Sequence, residues 1–319
     1  MKTKISTYTA GRLILTVGII ICASLLTSCF TGVEGTKKIK LSRIDRKTLA
    51  PTDEEQFFIG VNGIPLAEWK KGKIFIAADD KTILIFDQQG LPADPLSLKF
   101  GGKQIVFEGI DQRLGADGLM YVHIIFSNDG NYYSYNTGKT PEDAQNLTSE
   151  QIPMLIDNDM VDETRALLVG KRFWIKSPLW YDGNGNRING FKYVPVTITD
   201  VEPASAAFPL RLRFTNDDGK YAWVFMNFGN SGIESRSFPS LFSLTDIRDK
   251  YPTIQDDVWD MICRGKVKTG MTKEECKLSI GNPDDVNAGH DYSQTIDLWQ
   301  YSDGTALWFE DGILTRFRR

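Results

Sequence analysis

Residues 210–225 read Leu-Arg-Leu-Arg-Phe-Thr-Asn-Asp-Asp-Gly-Lys-Tyr-Ala-Trp-Val-Phe, and this stretch decides the class of fold. Apolar residues alternate with arginine over 210–214, the period of two that is typical of a strand with one buried face. Residues 216–219 have the composition of a tight turn, and large aromatic side chains alternate again on the return segment 221–225. The stretch therefore predicts a β-hairpin.

The chain contains a second copy of this pattern, which indicates an internal duplication. Three pairs of segments match in the same order: 72–76 with 170–175, 86–90 with 181–185, and 125–132 with 213–221. Matches that keep one order along a chain predict a repeated structural unit. We therefore expect a first β-rich unit over residues 52–158 and a second β-rich unit over residues 159–250.

Both units are short for the number of strands that their patterns predict. Several short strands in so few residues favour a small barrel or a strongly bent sheet, because curling hides the strand edges. The strand number and the repetition resemble bacterial SH3-like modules. A short helix over 161–169, ending at Gly170, is expected to link the two units.

Residues 251–319 predict two helices followed by three strands. Thr272 and Glu275 form a capping box, which starts the second helix, and Gly281 ends it ahead of Pro283. The strands are expected at 296–301, 305–310 and 313–317, separated by turns that contain Asp and Gly. Helices followed by a three-stranded meander predict an α+β sandwich.

This order of elements resembles the SmpA/OmlA domain, which is also called the BamE-like fold. Four motifs carry the resemblance: Gly-Met-Thr at 270–272, Ile-Gly-Asn-Pro at 280–283, Trp-x-Tyr at 299–301, and Phe-x-x-Gly at 309–312. The resemblance implies a periplasm-facing lipoprotein that supports outer-membrane protein assembly through protein contacts. The founding members are little more than this domain, whereas two further units precede it here. The module also resembles β-lactamase-inhibitor-like folds.

The N-terminus resembles a bacterial lipoprotein signal. Lys2, Lys4 and Arg12 precede the apolar stretch 13–26, and Leu-Thr-Ser-Cys at 26–29 resembles the lipobox. The resemblance implies that residues 1–28 are removed, that Cys29 is acylated, and that residues 29–51 are a tether. Several acyl chains give stable anchoring, which a single chain does not. Neither an aspartate nor an acidic run follows the cysteine. By resemblance to the sorting rule of Gram-negative lipoproteins, this implies the outer membrane and its periplasmic face. The alternative is an ordinary secretory signal with a chance cysteine.

Composition excludes several classes of function. Lys and Arg number 37 against 41 Asp and Glu, a net charge of −4, which is no footprint for nucleic-acid binding. Two histidines, and the absence of GxSxG, P-loop and HExxH motifs, argue against an enzyme, a cofactor and a metal site. Residues 182–186 resemble half of an EF-hand loop, but Arg187 stands where glycine is needed, so a hairpin turn is expected.

Two sets of side chains stand out as candidates for a site. Cys263 and Cys276 could form a disulfide in an oxidising compartment, or they could be two buried thiols, and both alternatives stay open. A binding surface is expected from four aromatic residues: Trp180, Tyr181, Trp299 and Tyr301. In the strand that contains Trp299 and Tyr301, Ile296 and Leu298 are expected on the opposite, buried face.

The predicted fold is α+β and mainly β, with two tandem SH3-like small β-barrel units followed by a two-helix, three-stranded antiparallel BamE-like module. The expected function is that of a non-catalytic outer-membrane lipoprotein that binds other envelope proteins. Alternatives are peptidoglycan or glycan binding through the repeats, and an inhibitor or accessory protein. The expected partners are a lipid anchor in the membrane, envelope proteins, and peptidoglycan or glycan, with no nucleic acid.

Overall fold

The computed structural model describes residues 50–88, 91–228, 236–291 and 294–319. The signal peptide, Cys29 and the tether up to residue 49 lie outside the described residues. Strands predominate and their pairing is antiparallel throughout the described sheets, so the fold is α+β and mainly β. The described α-helices are α1 (Asp53–Phe58), α2 (Pro141–Ala144), α3 (Asn158–Leu168), α4 (Phe238–Leu241), α5 (Asp256–Cys263) and α6 (Lys273–Ile280). Short 3₁₀ helices occur at Leu66–Glu68, Asp80–Ile85, Pro95–Leu98, Ser149–Gln151 and Ile247–Lys250.

The strands form three sheets. The first β-rich unit contains β1 (Ile74–Ala77), β2 (Gln104–Leu114), β3 (Met120–Asn128), β4 (Asn131–Asn136) and β5 (Leu155–Asp157). The second contains β6 (Arg172–Ile175), β7 (Leu179–Tyr181), β8 (Arg187–Asn189), β9 (Val194–Pro203), β10 (Leu210–Asn216), β11 (Tyr221–Met226) and β12 (Phe242–Ser243). A third sheet contains β13 (Asp285–Asp291), β14 (Gln294–Gln300), β15 (Ala306–Glu310) and β16 (Ile313–Arg318).

The first two sheets have the same connectivity. The first runs in the order β4-β3-β2-β1-β5, and the second runs β11-β10-β9-β6-β12 once the β7–β8 hairpin, which pairs with β11, is set aside. Because equivalent strands meet equivalent neighbours, the similarity extends from the sequence segments to the pairing of whole strands. The duplication inferred from three short matches therefore has a counterpart in topology.

Individual hydrogen bonds repeat as well. Gly72 precedes β1 and donates to the carbonyl of Phe107 at 2.8 Å, while Gly170 precedes β6 and donates to Ile198 at 2.9 Å. Phe107 pairs with Phe126, and Ile198 pairs with Phe214, so the last two phenylalanines are equivalent. Immediately after each of these pairs the register shifts by one residue, which is a β-bulge at the same place in both sheets.

One of the three sequence matches is displaced by one residue. The ring of Phe86 packs 5.9 Å from Phe126, and Trp180 packs 5.0 Å from the equivalent Phe214. Phe86 therefore corresponds to Trp180, whereas the segment match placed it on Tyr181. The segments were aligned on the Asp and Gly residues that both sequences contain, and such polar residues are not constrained by the core.

Each β-rich unit has its own hydrophobic core, but the boundary between them differs from the prediction. The helix α1, which the prediction assigned to the first unit, contributes to the core of the second. Its Phe57 and Phe58 lie 5.2 and 5.4 Å from Phe238 of α4. The helix α3 also packs into this core, and Lys73 of the first unit binds Asp157 at its N-terminus at 2.8 Å.

The predicted module 251–319 is not one compact unit. Contacts divide the chain at Asn282 and Pro283, so that α5 and α6 belong with the two β-rich units. The reason is a set of bonds to the second β-rich unit: the amide of Lys192 donates to Cys263 at 2.9 Å, and the hydroxyl of Tyr193 donates to Leu278 at 3.2 Å.

The C-terminal sheet has four strands where three were expected. The order is β13-β14-β15-β16, and the three predicted strands correspond to β14, β15 and β16. The additional edge strand β13 pairs with β14 from Asp285 opposite Gln300 to Asp291 opposite Gln294. Its Asp, Asn and Gly residues have low strand propensity, so the sequence pattern did not indicate it.

Candidate functional site

A groove of about 580 Å³ lies between the second β-rich unit and α5. Its apolar wall includes Phe191, Tyr193, Val194, Pro195 and Trp259. The three aromatic side chains are all half-buried, so each has one part held in the fold and another facing the groove. Partly exposed aromatic rings in a concave surface are typical of binding sites.

Tyr193 is placed by an unusual backbone conformation. Its φ is +60°, in the left-handed region, and its amide donates to the carbonyl of Ile175 at 2.5 Å. The first β-rich unit has Gly102 at the equivalent position, where φ is +75° and the amide donates to Ala77 at 2.8 Å. A tyrosine in this region costs on the order of 1 kcal/mol or more, whereas glycine adopts it freely. The second copy therefore keeps a strained tyrosine where the first has glycine.

The side chain of Tyr193 is held in a stack of rings and cations. The Tyr193 ring stacks on Trp259 of α5 with ring centroids 5.7 Å apart. The ammonium group of Lys192 lies 4.9 Å from the centroid of the Tyr193 ring. The guanidinium of Arg248 lies 4.9 Å from the Trp259 ring. Such contacts fix the orientation of the rings and therefore the shape of the wall.

Arg248 is in turn held by several groups. It donates to the carbonyl of Ile254 at 2.8 Å and to the carboxylate of Asp256 at 2.7 Å. Its Nη1 is buried without a hydrogen-bond acceptor in the described part of the chain. The indole face of Trp259 beneath the guanidinium is the electron-rich surface that compensates for this.

Five carboxylates surround the apolar wall, on three different segments of the chain: Asp217, Asp218, Asp246, Asp256 and Asp260. Three of them form ion pairs, with Arg172 at 2.8 Å, Arg248 at 2.7 Å and Arg264 at 2.9 Å. Asp218 and Asp246 have no ion pair within the described ranges. The five acids and these three arginines sum to a charge of −2, and the buried ammonium of Lys192 behind the wall brings the total to −1.

The ionisable groups behind the wall are strongly affected by burial. Desolvation lowers the pKa of Lys192 to about 8, and it raises the pKa of Tyr193 to about 12. Desolvation also raises the pKa of Cys263, which lines the groove, to about 11. Because the thiolate is the reactive form, this environment is the opposite of the one that activates a nucleophilic cysteine.

Cys263 and Cys276 are buried free thiols in the structure, which is one of the two alternatives for this pair. Desolvation raises the pKa of Cys276 to about 12. Both side chains contribute to the packing of α5 and α6, where a thiol behaves as a small apolar group.

Trp180 is not a surface residue, which corrects the expectation for this side chain. It is 5% exposed, and its indole N–H donates to the carbonyl of Ser177 at 3.0 Å. Tyr181 is half-buried, with its ring 4.7 Å from Phe225. Both side chains are therefore part of the packing of the second β-rich unit, as expected for aromatic residues on short strands that cover a core.

The two faces of β14 are the reverse of the expected ones. Trp299 is 4% exposed and lies 4.6 Å from Phe309, Tyr301 is half-buried, and Ile296 is 37% exposed. Asp297 lies on the same face as Trp299 and is also buried. The half-buried tryptophan on the other face is Trp308, with the guanidinium of Arg316 lying 4.2 Å from its ring centroid.

A cluster with the composition of a catalytic triad, around His123, lacks its geometry. His123, predicted to be structural, is buried, and its Nδ1 lies 3.0 Å from Ser134 Oγ and 3.3 Å from Asp87 Oδ2. A triad needs the serine and the carboxylate on different ring nitrogens, so this arrangement cannot relay a proton.

The carboxylate of Asp182 accepts from the amides of Asn184 and Asn186, as in a hairpin turn.

The residues of the groove escaped the sequence analysis. Trp259 lies beside the apolar stripe of α5, and Tyr193 follows a polar turn, so neither stood out. The usable signal was a large aromatic residue next to a helical stripe, together with paired aspartates in the turn at 217–218.

Comparison of the chain with protein-family models, with curated proteins and with solved structures finds no match. No helix among the described residues is long and apolar enough to cross a membrane. Within the same residues, no group of three or more His, Cys, Asp or Glu side chains is placed to hold a metal ion.

Proposed function

We propose that this chain is a non-catalytic lipoprotein of the outer membrane that faces the periplasm and binds other envelope proteins. The observation that carries the proposal is the groove beside α5, and within it the strained Tyr193. Strain is retained where the surrounding structure and the function of a residue require it. A tyrosine kept in a glycine conformation and turned toward a concave surface fits a recognition role.

The modular part of the proposal is that the two β-rich units are SH3-like and that residues 251–319 derive from a BamE-like module. Support for the first comes from the five-strand order common to both sheets and from the 3₁₀ helix Ser149–Gln151 just before β5. Support for the second comes from the order of α5, α6 and the antiparallel strands β14–β16. The additional β13 and the separate grouping of α5 and α6 are departures from that module.

The anchor is tested by replacing Cys29 with alanine. If Cys29 carries the lipid, the variant incorporates no labelled fatty acid and appears in the soluble fraction. Tight membrane association of the unlabelled variant would contradict lipid anchoring.

The binding role is tested by photocrosslinking in intact cells. A photoreactive residue is placed at Asp217, which is exposed at the rim of the groove, and separately at Asp94, which is exposed on the first β-rich unit. We expect a discrete adduct with another envelope protein from position 217 and none from position 94. The same adducts from both positions, or none from either, would contradict a protein-binding role for the groove.

A second candidate, glycan binding, is favoured by two exposed tyrosines. Tyr132 is 71% exposed at the start of β4, and Tyr221 is 61% exposed at the equivalent position of β11. A flat ring exposed at the same place in both copies could rest on the apolar face of a sugar. Cosedimentation with purified peptidoglycan tests this: the Tyr132→Ala/Tyr221→Ala variant should lose binding, and equal sedimentation of variant and wild type would contradict it.

A further inference from the structure

We infer that the groove beside α5 binds a basic polypeptide segment of another protein, through lysine or arginine side chains that lie on its apolar wall. This inference rests on the proposed function and names the chemistry of the partner. It is carried by the combination of an apolar concave wall with carboxylates that the fold leaves without a counter-charge.

Two of the five carboxylates of the groove have no counter-charge among the described residues. Asp217, Asp256 and Asp260 are each neutralised by an arginine of the fold, at distances of 2.7 to 2.9 Å. Asp218 and Asp246 have no such partner in the part of the chain that the structure describes. Asp246 Oδ1 accepts from the amide of Arg248 at 2.9 Å, so this carboxylate is fixed in position by the 3₁₀ helix that it caps. The carboxylate of Asp218 accepts from the side-chain amide of Asn216 at 3.2 Å. Two carboxylates without counter-charges favour a cationic occupant.

The apolar wall of the groove presents ring edges and aliphatic side chains. The faces of the Trp259 and Tyr193 rings are already in contact with each other and with Arg248 and Lys192, so a ligand meets ring edges together with Val194 and Pro195. This surface suits the aliphatic stem of a long side chain better than a bare cation. Lysine and arginine bury such stems along apolar surface while their charged heads stay near water and carboxylates.

The distribution of the carboxylates around the groove fits a polypeptide segment. The carboxylates lie on the β10–β11 turn, at the start of the 3₁₀ helix Ile247–Lys250, and on α5, so they are spread around the groove. No described set of acidic side chains converges as a metal site would require. Separate carboxylates match separate cationic side chains on one backbone, as in a basic segment of a protein.

The inference is tested with the full-length lipidated protein in detergent and a fluorescein-labelled peptide as the probe. The peptide interleaves lysine with leucine and proline, and its counterpart has glutamate in place of lysine. We expect binding of the lysine peptide alone, and weaker binding as the salt concentration rises from about 0.05 M to about 0.5 M. Equal binding of both peptides, or binding that salt does not affect, would overturn the inference.

The decisive variant is Asp218→Asn/Asp246→Asn, which keeps the size of both side chains and removes their charge. We expect the affinity for the lysine peptide to fall about tenfold. The matched control is Asp94→Asn/Asp129→Asn, two exposed aspartates on the first β-rich unit, which should leave the affinity unchanged. Circular dichroism of both variants verifies that the fold is retained, and an equal loss in both would overturn the inference.

Two further outcomes separate other occupants and the proposed function. If spermidine competes as well as the lysine peptide does, the site recognises small polyamines, and the inference fails. If the adduct from position 217 in cells persists in Asp218→Asn/Asp246→Asn, the groove binds a protein without using these charges. The proposed function then stands and the inference fails, whereas the absence of any adduct removes the proposed function itself.

Discussion

The ammonium group of Lys192 is buried behind the wall of the groove, and replacing it with methionine should change how the stability of the chain depends on pH. Its Nζ donates to the carbonyl of Ser279 at 2.7 Å, and burial lowers its pKa from 10.5 to about 8. The unfolded chain therefore binds more protons than the folded chain between pH 8 and 10.5. In this window the free energy of unfolding rises with pH, because deprotonation relieves the buried charge.

The size of the effect follows from the two pKa values. At about 1.36 kcal/mol for each pH unit between them, the charged lysine costs the folded state about 3 kcal/mol at neutral pH. About 1 kcal/mol of this cost is recovered between pH 7 and pH 9. Cys263, Cys276 and Tyr193 act in the opposite direction, because their raised pKa values of about 11, 12 and 12 reduce stability once pH exceeds about 9. Lys192 lowers the pKa of Cys263, so its removal only raises that pKa further, and the folded chain keeps these three groups protonated up to pH 9 in both proteins. Between pH 7 and pH 9 the difference between the two pH profiles therefore reports on Lys192.

The assay is urea unfolding, followed by tryptophan fluorescence, of wild type and Lys192→Met at several pH values from 7 to 9. We expect the wild type to gain about 1 kcal/mol relative to the variant across this range. The control is Lys171→Met, since Lys171 is an exposed lysine beside β6, and its profile should run parallel to that of the wild type. Parallel profiles for wild type and Lys192→Met would refute the buried charge behind the groove.

Three more predictions concern the framework that supports the groove. Lys73→Met should lower the free energy of unfolding by about 3–5 kcal/mol in urea titrations, because it leaves the buried Asp157 without its counter-charge. The double variant Lys73→Met/Asp157→Asn should recover part of this loss. If the effects of the two single substitutions on the free energy of unfolding simply add in the double variant, the pairing is contradicted. Gly190→Ala should cost about 1–3 kcal/mol in thermal unfolding, because the new Cβ would lie 2.3 Å from the ring of Trp180, and Trp180→Leu should relieve it. The cysteines of α5 and α6 should resist a thiol reagent at pH 8 and react in urea, since burial suppresses the thiolate in the folded chain; rapid labelling of the native protein would show that they are accessible.

The sequence predicted the parts of the fold that depend on local pattern. Alternation over 210–214 and the turn at 216–219 specify β10, β11 and their hairpin, because strand period and turn chemistry are properties of neighbouring residues. The capping box of Thr272 and Glu275 is likewise present at the start of α6. The capping bonds lie within three residues of one another, so no long-range contact is needed to predict them.

The parts that the sequence did not predict depend on distant contacts. The helix α1 precedes the first β-rich unit along the chain but packs on Phe238 of the second, and no local pattern records that choice. The faces of β14 could not be assigned from alternation, because apolar residues stand at both phases and the burial of Asp297 depends on its three-dimensional surroundings. The groove combines segments near residues 193, 217, 246 and 259, so it exists only once these have been brought together.

The two copies differ at the position that supplies Tyr193 to the groove. Equivalent strands, the same bulge and the same hydrogen bond, from the amide of the left-handed residue to the last residue of β1 or β6, define a scaffold that both copies share. At that turn the first copy has Gly102, which meets the backbone requirement without strain, and the second has Tyr193, which meets it at a cost. The ring of Tyr193 offsets that cost by stacking on Trp259 of α5, a helix held to the second copy by the bond from the amide of Lys192 to the carbonyl of Cys263. The same scaffold position thus serves only the backbone in one copy, whereas in the other it also contributes a ring to the wall of the groove.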